Sequence, residues 1–297
     1  MPRTGIDLGG TKIEIVVLAP SGDVLFEKRV ATPAPDYHAT VTLLNDLLGE
    51  AESVTQTKTS VGIGTPGSLS PKTGLLRNSN SVWMNGKPLA ADINAAMARE
   101  VRIANDANCF ALSEATDGAG QGARAVFGVI IGTGCGGGVV VDGHIVNGAN
   151  GIGGEWGHNP LPWPDETEFP APECWCGRFG CQEVWFSGSG LRRDHLTITG
   201  DDLRGEEIVA RAARADTACQ ATLARHANRL ARGLACVCNL LDPEVIVLGG
   251  GLSNMPHIYA DLPGLMEPFV FSDHVSTQIV APVHGDASGV RGAAWLW

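Results

Sequence analysis

Two short apolar runs, over residues 4–8 and 13–18, flank the polar turn Gly9-Gly10-Thr11-Lys12. Runs this short, bounded by glycine, predict the two strands of a hairpin. Ser21-Gly22-Asp23 then turns the chain into a third strand over 24–30. Val41, Leu44, Leu47 and Leu48 recur at helical spacing and predict a helix over 37–50. A buried strand over 60–64 ends at Thr65-Pro66-Gly67. A helix over 89–100, a strand over 101–104 and a helix over 107–115 follow.

The strand–glycine–strand pattern then returns. Residues 126–131 run into the glycine-rich stretch from Gly132 to Gly138, then an apolar run over 139–141 and the turn Asp142-Gly143. A second copy of one unit implies a duplicated domain. The longest predicted helix covers 217–241; a strand over 245–248 and the cluster Gly249-Gly250-Gly251 come after it. The expected organisation is an α/β protein of two domains with a duplicated β-rich core flanked by helices. Residues 1–118 form the first domain, completed by a C-terminal helix over 287–297, and 119–286 form the second.

Composition narrows the function classes. The chain has 297 residues, 44% of them hydrophobic and 18% charged, and a net charge of 21 − 32 = −11. An acidic protein lacks the basic face that grips nucleic acid without regard to sequence. No apolar run approaches the roughly 20 residues that span a bilayer. Met1-Pro2-Arg3-Thr4 leads straight into a strand with no apolar leader, so a cytoplasmic, reducing location is expected. Neither nucleic acid nor membrane is an expected partner; a homodimer is an allowed assembly. Any anionic ligand must be held by local devices such as backbone N–H groups or a metal ion.

His158, Cys174, Cys176 and Cys181 have the spacing His-x15-Cys-x-Cys-x4-Cys. In a reducing compartment this reads as one tetrahedral zinc set rather than as disulfides. Four protein ligands leave no open position, so the zinc is expected to be structural. The remaining cysteines (Cys109, Cys135, Cys219, Cys236 and Cys238) lie in apolar segments and read as small buried hydrophobes.

Gly132-x-Gly134-x-x-Gly137 fits a dinucleotide fingerprint only in letters, because a strand follows where a helix is needed. Gly5-Ile6-Asp7-Leu8-Gly9-Gly10-Thr11-Lys12 likewise lacks the order of a P-loop. Each is a glycine-rich hairpin tip. One such tip reads equally as a tight turn or as an anion cradle; two equivalent tips favour phosphate binding. Asp7 is placed to hold Mg²⁺ against nucleotide phosphates or to bond the turn, and Lys12 to touch a phosphate or simply to face solvent. Asn105-Asp106-Ala107-Asn108 lies where a strand gives way to a helix. One polar residue would serve as N-cap; with three, Asp106 is a candidate base for a hydroxyl attacking a γ-phosphoryl group, and Asn105 a ligand of the same substrate.

Together these motifs resemble the ROK family of sugar kinases, across essentially the whole chain and in the family's order. Asp7-Leu8-Gly9-Gly10-Thr11-Lys12 resembles its first phosphate motif, the stretch Gly132, Thr133, Gly134, Cys135, Gly136, Gly137, Gly138 and Val139 its second, and Gly249-Gly250-Gly251 its adenosine motif. Glu155-x-x-His158 and Cys174-x-Cys176-Gly177-x-x-Gly180-Cys181-x-Glu183 resemble its zinc segment, the most specific of the set. The resemblance implies the actin-like/hexokinase-like ATPase fold, with ATP, Mg²⁺ and structural Zn²⁺. It further implies Asp106 as general base and Gly67, Asn80, Asn105, Asp106, Glu155, His158 and Glu183 around the sugar. His158 would bind zinc through one ring nitrogen and offer the other to a sugar hydroxyl. Within the family, residues 78–86 and 154–163 look most like bacterial fructokinases of the manno(fructo)kinase type, which makes the expected reaction transfer of phosphate from ATP to the 6-hydroxyl of D-fructose. N-acetylglucosamine, mannose and glucose kinases of the family are the alternative.

Two other classes fit the chain less well. Sugar-responsive regulators of the family carry an N-terminal helix-turn-helix; the first phosphate strand begins at Thr4, and the acidic charge opposes DNA binding. A non-catalytic sugar binder would not need both phosphate loops together with Asp106. Two domains imply closure on sugar and ATP, which would exclude water.

Overall fold

The computed structural model describes residues 1–297. Its secondary structure alternates as α/β. The strands are β1 (Arg3–Leu8), β2 (Lys12–Leu18), β3 (Val24–Ala31), β4 (Ser60–Thr65), β5 (Ser68–Leu69), β6 (Leu76–Arg77), β7 (Val101–Asn105), β8 (Ala125–Ile131), β9 (Cys135–Val141), β10 (His144–Ile145), β11 (Val245–Gly249) and β12 (Gln278–Val280). The α-helices are α1 (Tyr37–Thr55), α2 (Leu89–Met97), α3 (Asp106–Asp117), α4 (Glu183–Phe186), α5 (Gly188–Thr199), α6 (Gly205–Ala212), α7 (Thr217–Leu241), α8 (Pro256–Met266) and α9 (Ser288–Ala294).

Two five-stranded sheets share one plan. The first runs β3-β2-β1-β4-β7 and the second β10-β9-β8-β11-β12. In the first, β1 pairs antiparallel with β2 and parallel with β4, and β4 pairs parallel with β7. In the second, β8 and β11 are parallel, as are β11 and β12. The repeated strand–glycine–strand pattern in the sequence is therefore a repeated sheet, and with its flanking helices it is the hexokinase-like ATPase fold. In open α/β sheets ligands gather at the carboxyl ends of parallel strands, and both glycine-rich tips leave from such ends, after β1 and after β8.

By contacts the chain forms two compact units. One comprises Met1–Gly122, Gly138–Gly154 and Val283–Trp297; the other comprises Ala123–Gly137 and Glu155–Pro282. The core of the first unit gathers Ile6, Leu8, Ile13, Ile15, Leu44, Ile63, Met84 and Ile93 from its sheet and helices. Helix α9 closes on this sheet at very short range. A Cβ on Gly62 of β4 would lie 1.9 Å from the Ala293 carbonyl oxygen, and one on Gly5 of β1 would lie 2.0 Å from that of Val290. Glycine is needed at both positions because no side chain fits between strand and helix backbone. The buried Glu114 carboxylate holds the approach to α9, accepting the N–H groups of Ala119, Val283 and His284 and the Ser288 hydroxyl.

Several elements differ from the sequence reading in extent. Helix α1 runs on past residue 50 to Thr55, because Ala51 and Glu52 continue its buried face; Gln56, at φ 52°, ends it in the left-handed cap conformation. Helix α2 stops at Met97, with Ala98 left-handed. Helices α5, α6 and α8 were not expected. The first opens on Gly-Ser-Gly, which reads as a loop until the Ser187 hydroxyl caps it at Gly190 N–H. The last contains Pro263 inside the helix.

In the second unit, α7 lays Leu223, Ala227, Leu230, Ala231 and Leu234 into the core. Arg229 and Arg232 share that buried face. Both reach Glu168, itself buried in a short 3-10 turn of the proline-rich loop over 160–172. Arg232 also donates to the carbonyl oxygens of Pro162, at 3.1 Å, and Trp163, at 2.6 Å. Removing either kind of charge from such a buried set leaves the other uncompensated, so the loop is held firmly to the helix.

Candidate functional site

In the first unit, three parallel strands deliver polar groups to their carboxyl ends: Asp7 from β1, Thr65 from β4, Asn105 from β7. Asp106 follows as the first residue of α3. The Asn105 side-chain oxygen caps α3 by accepting the Ala107 N–H at 2.9 Å, and its amide donates to the Gly67 carbonyl oxygen at 3.1 Å. Asp106 Oδ1 accepts the same N–H at 2.8 Å. The cap and the candidate base are thus neighbours that share the Ala107 N–H. Gly67 sits at φ +81°, where a Cβ would lie 2.4 Å from the Arg77 carbonyl oxygen.

Asp7 is the electrostatically perturbed member. Burial, then the charges of Asp106 and Glu14, push its carboxyl from 3.8 up to about 6, against a smaller pull from Lys12 and Arg29. Glu14 is its partner across the β1–β2 pair. Carboxylates crowded this way favour a cation between them and a phosphate, which fits Mg²⁺ at Asp7. Cys109 lies beneath, fully buried; desolvation first, then Asp7 and Asp106, raise its thiol far above the ordinary range. Gly5, Ile6 and Leu8, grouped with the nucleotide loop in the sequence reading, are buried within β1, so only Asp7 and the tip from Gly9 to Lys12 are left to meet a ligand. The tip is closed by Gly9 N–H on the Lys12 carbonyl oxygen at 3.0 Å. Asn80 is exposed in a loop that the Asn85 side chain ties through both the N–H and the carbonyl of Ser79, and Ser81 of that loop packs against Gly10.

In the second unit, the donor atoms of His158, Cys174, Cys176 and Cys181 lie within 4.8 Å of one another. Cys176 Sγ is 3.6 Å from Cys181 Sγ, and Cys174 Sγ is 3.7 Å from His158 Nδ1. A tetrahedron with bonds of about 2.3 Å has edges of about 3.8 Å, so the four residues fit a zinc-sized ion with His158 presenting Nδ1. That leaves Nε2 as the ring nitrogen available to a ligand.

Glu183 joins this cluster to the second glycine tip. Its Oε2 accepts the Cys135 N–H at 3.0 Å, and its Oε1 accepts the Trp175 indole N–H at 2.6 Å. A Cβ on Gly134 would stand 2.8 Å from Oε2, so this glycine makes room for the carboxylate. The Cys135 N–H, counted in sequence among the phosphate cradle, is engaged by Glu183 instead. Trp156 Nε1–H donates to the Gly136 carbonyl oxygen at 3.0 Å, and Gly157 packs on the Cys135 carbonyl. The turn carrying Glu155 and His158 is therefore laid against the start of β9.

A cavity of about 1100 Å³ opens beside Gly132, Thr133 and Gly251, with Leu196, Val209, Leu252 and Met255 as its apolar lining and Arg192 and Arg193 at its polar side. Gly250, at φ +84°, has no space for a Cβ against Ile131. The cavity's size and its two glycine edges suit a nucleotide. Sequence reasoning found those edges but missed the wall, because α5 opens on Gly-Ser-Gly and α6 spans only eight residues. It also missed Trp175 and the Glu168–Arg229–Arg232 set. Arginines three apart on the apolar face of a predicted helix were the available sign of the latter.

The profile of the ROK family matches residues 3–297. The chain is 40% identical over 296 residues to an N-acetyl-D-glucosamine kinase of Yersinia enterocolitica serotype O:8, covering 98% of each chain. Its fold is similar to that of a ROK hexokinase from Thermus thermophilus, with a TM-score of 0.88 and 30% identity over 99% of this chain and 97% of that one. It is also similar to a ROK family glucokinase from Streptomyces griseus in complex with glucose and AMPPNP. There the TM-score is 0.77, with 27% identity over 100% of this chain and 99% of that one.

Proposed function

The chain is a sugar kinase of the ROK family, and on that premise we propose that it transfers the γ-phosphoryl group of ATP to the 6-hydroxyl of N-acetyl-D-glucosamine. The observation that carries phosphoryl transfer is the approach of Asp7, at the end of β1, to Asp106, at the start of α3 after β7 with β4 between the two strands, one carboxyl perturbed by the other. Support for the acceptor comes from likeness along the whole chain to relatives named for that sugar. D-fructose, the acceptor ranked first from sequence, has no such support.

In this reading Asp106 takes the proton of the attacking hydroxyl, while Asn105 and the cap hold it at the start of α3. Asp7 faces the nucleotide phosphates, and Mg²⁺ held there supplies neutralisation of phosphate charge. The glycine tips and the cavity of the second unit hold ATP. Glu155, His158 Nε2, Glu183, Gly67 and Asn80 orient the sugar. Zinc at His158, Cys174, Cys176 and Cys181 supplies a clamp for the loop that carries the sugar ligands.

An ADP-release assay across N-acetyl-D-glucosamine, D-glucose, D-mannose and D-fructose tests the proposal. The highest kcat/KM is expected with N-acetyl-D-glucosamine. A higher value with D-fructose would restore the first expectation, and no turnover with any sugar by folded, zinc-replete protein would sink the kinase reading.

A further inference from the structure

Trp175 stands between two metal-ligating cysteines, Cys174 and Cys176, yet its side chain is 72% exposed. Its indole N–H donates to Glu183 Oε1 at 2.6 Å, and its ring meets His158 edge-on with centroids 5.0 Å apart at 82°. The other Glu183 oxygen is held by a backbone group, the Cys135 N–H. One carboxylate oxygen is thus fixed by a strand; the other is held at hydrogen-bond distance by an exposed, replaceable side chain, with the Cys174 Sγ also near it at 4.0 Å.

We propose that Trp175 is a displaceable gate: its N–H occupies the Glu183 oxygen that an incoming sugar hydroxyl takes, and the indole leaves as the sugar binds. This rests on the reading of Glu183 as a sugar contact in a hexose kinase. The exchange is close to even. A sugar O–H makes a short charge-assisted bond to the same oxygen, and the released indole N–H finds water because the ring is already exposed. Little buried apolar area holds the ring in place. Meanwhile Oε2 stays on Cys135, so Glu183 keeps its position during the exchange. A gate that must open lowers the apparent affinity by the fraction of time it stands open. Trp175 is a positioning residue in this account, and its effect falls on sugar binding rather than on the phosphoryl step.

Trp175→Phe keeps a ring and removes the donor. Binding of N-acetyl-D-glucosamine, D-glucose, D-mannose and D-fructose is measured by calorimetry on zinc-replete wild type and variant, alongside turnover and metal content. The variant is expected to bind the acceptor sugar about three- to tenfold more tightly, the range set by one hydrogen bond, with KM lowered to match and kcat unchanged. In wild type carrying 5-fluorotryptophan, the ¹⁹F resonance of Trp175, assigned by its absence from the Trp175→Phe or Trp175→Tyr protein, is expected to shift on adding sugar without nucleotide. Unchanged or weaker sugar binding in Trp175→Phe, or a Trp175 resonance indifferent to saturating sugar, overturns the gate. With normal wild-type turnover, either result leaves the kinase reading standing; no turnover with any sugar removes that reading, and no binding removes the gate as well.

Discussion

At the carboxyl end of β1, Asp7 faces the charges of Asp106 and Glu14 and is pushed up to about 6. Near the corresponding end of β8, Glu183 meets N–H donors on both oxygens, from Cys135 and Trp175. The two glycine tips leave equivalent strands of two sheets built alike, yet one is set among repelling carboxylates and the other around a satisfied one. Crowded carboxylates store an electrostatic cost that a cation or a proton relieves, which suits metal-bound phosphate and proton transfer. A carboxylate anchored by a backbone N–H on one oxygen, as Glu183 is by Cys135, keeps its place while the other oxygen exchanges partners.

The comparison is most severely tested at Asp106. Asp106→Asn is expected to lower kcat by about 10²–10⁴-fold while leaving sugar binding by calorimetry near wild type. A near-normal rate would remove it as base. On the other side, Cys181→Ser is expected to abolish one-to-one zinc binding, measured by metal analysis, and to weaken sugar binding by more than about tenfold, as expected where a ligand's supporting shell is lost. Normal sugar affinity in folded, metal-free protein would separate the clamp from the site.

Asp7→Asn gives the sign of the stored cost. The raised carboxyl means that the folded chain binds a proton more tightly than the unfolded chain, so its destabilising effect is absent below about pH 4, grows through about pH 6 and is complete above. The variant is therefore expected to be more stable by about 2–3 kcal/mol at pH 8, to lose that advantage near pH 4, and to be a poor kinase throughout. Urea unfolding across pH measures it; equal stability at pH 8 would contradict the crowding. The smallest effect is expected for Gly134→Ala, whose methyl would press on Glu183 Oε2. A few-fold rise in KM for sugar, with an unchanged profile of stability against pH, would mark Glu183 as a positioning group.

Much of the first tip was legible because its signals are local. Glycine spacing, the Asp before it, and an Asn-Asp pair at a strand–helix junction each state their geometry within a few residues. The clustering of His158, Cys174, Cys176 and Cys181 was legible for the same reason. Which N–H groups of the second tip face outward was not legible, because Cys135 is engaged by a residue 48 positions away. Nor was the burial of Gly5, whose neighbour is a carbonyl of α9 at the far end of the chain. Helices α5 and α6, which wall the cavity, each bury one face, but α5 opens on Gly-Ser-Gly and α6 is only eight residues long, too short a window for the period to stand out. The buried Glu168 depends on α7 arginines more than 60 residues on. Long-range partners decide such positions, and no window of sequence contains them.

The tight seating of α9 on Gly5 and Gly62 also orders events in time. Trp297 Nε1–H reaches the Val61 carbonyl oxygen, and Arg102 reaches that of Leu296, so strands made early in synthesis take their last neighbours from residues made at the end. As the chain leaves a ribosome, the sheet begun at residue 3 has one face covered only in part, by α3, until 283–297 emerge. The intervening second unit is complete in sequence by residue 282, before that cover arrives. Protease resistance of stalled nascent chains would then appear first in the unit that starts later.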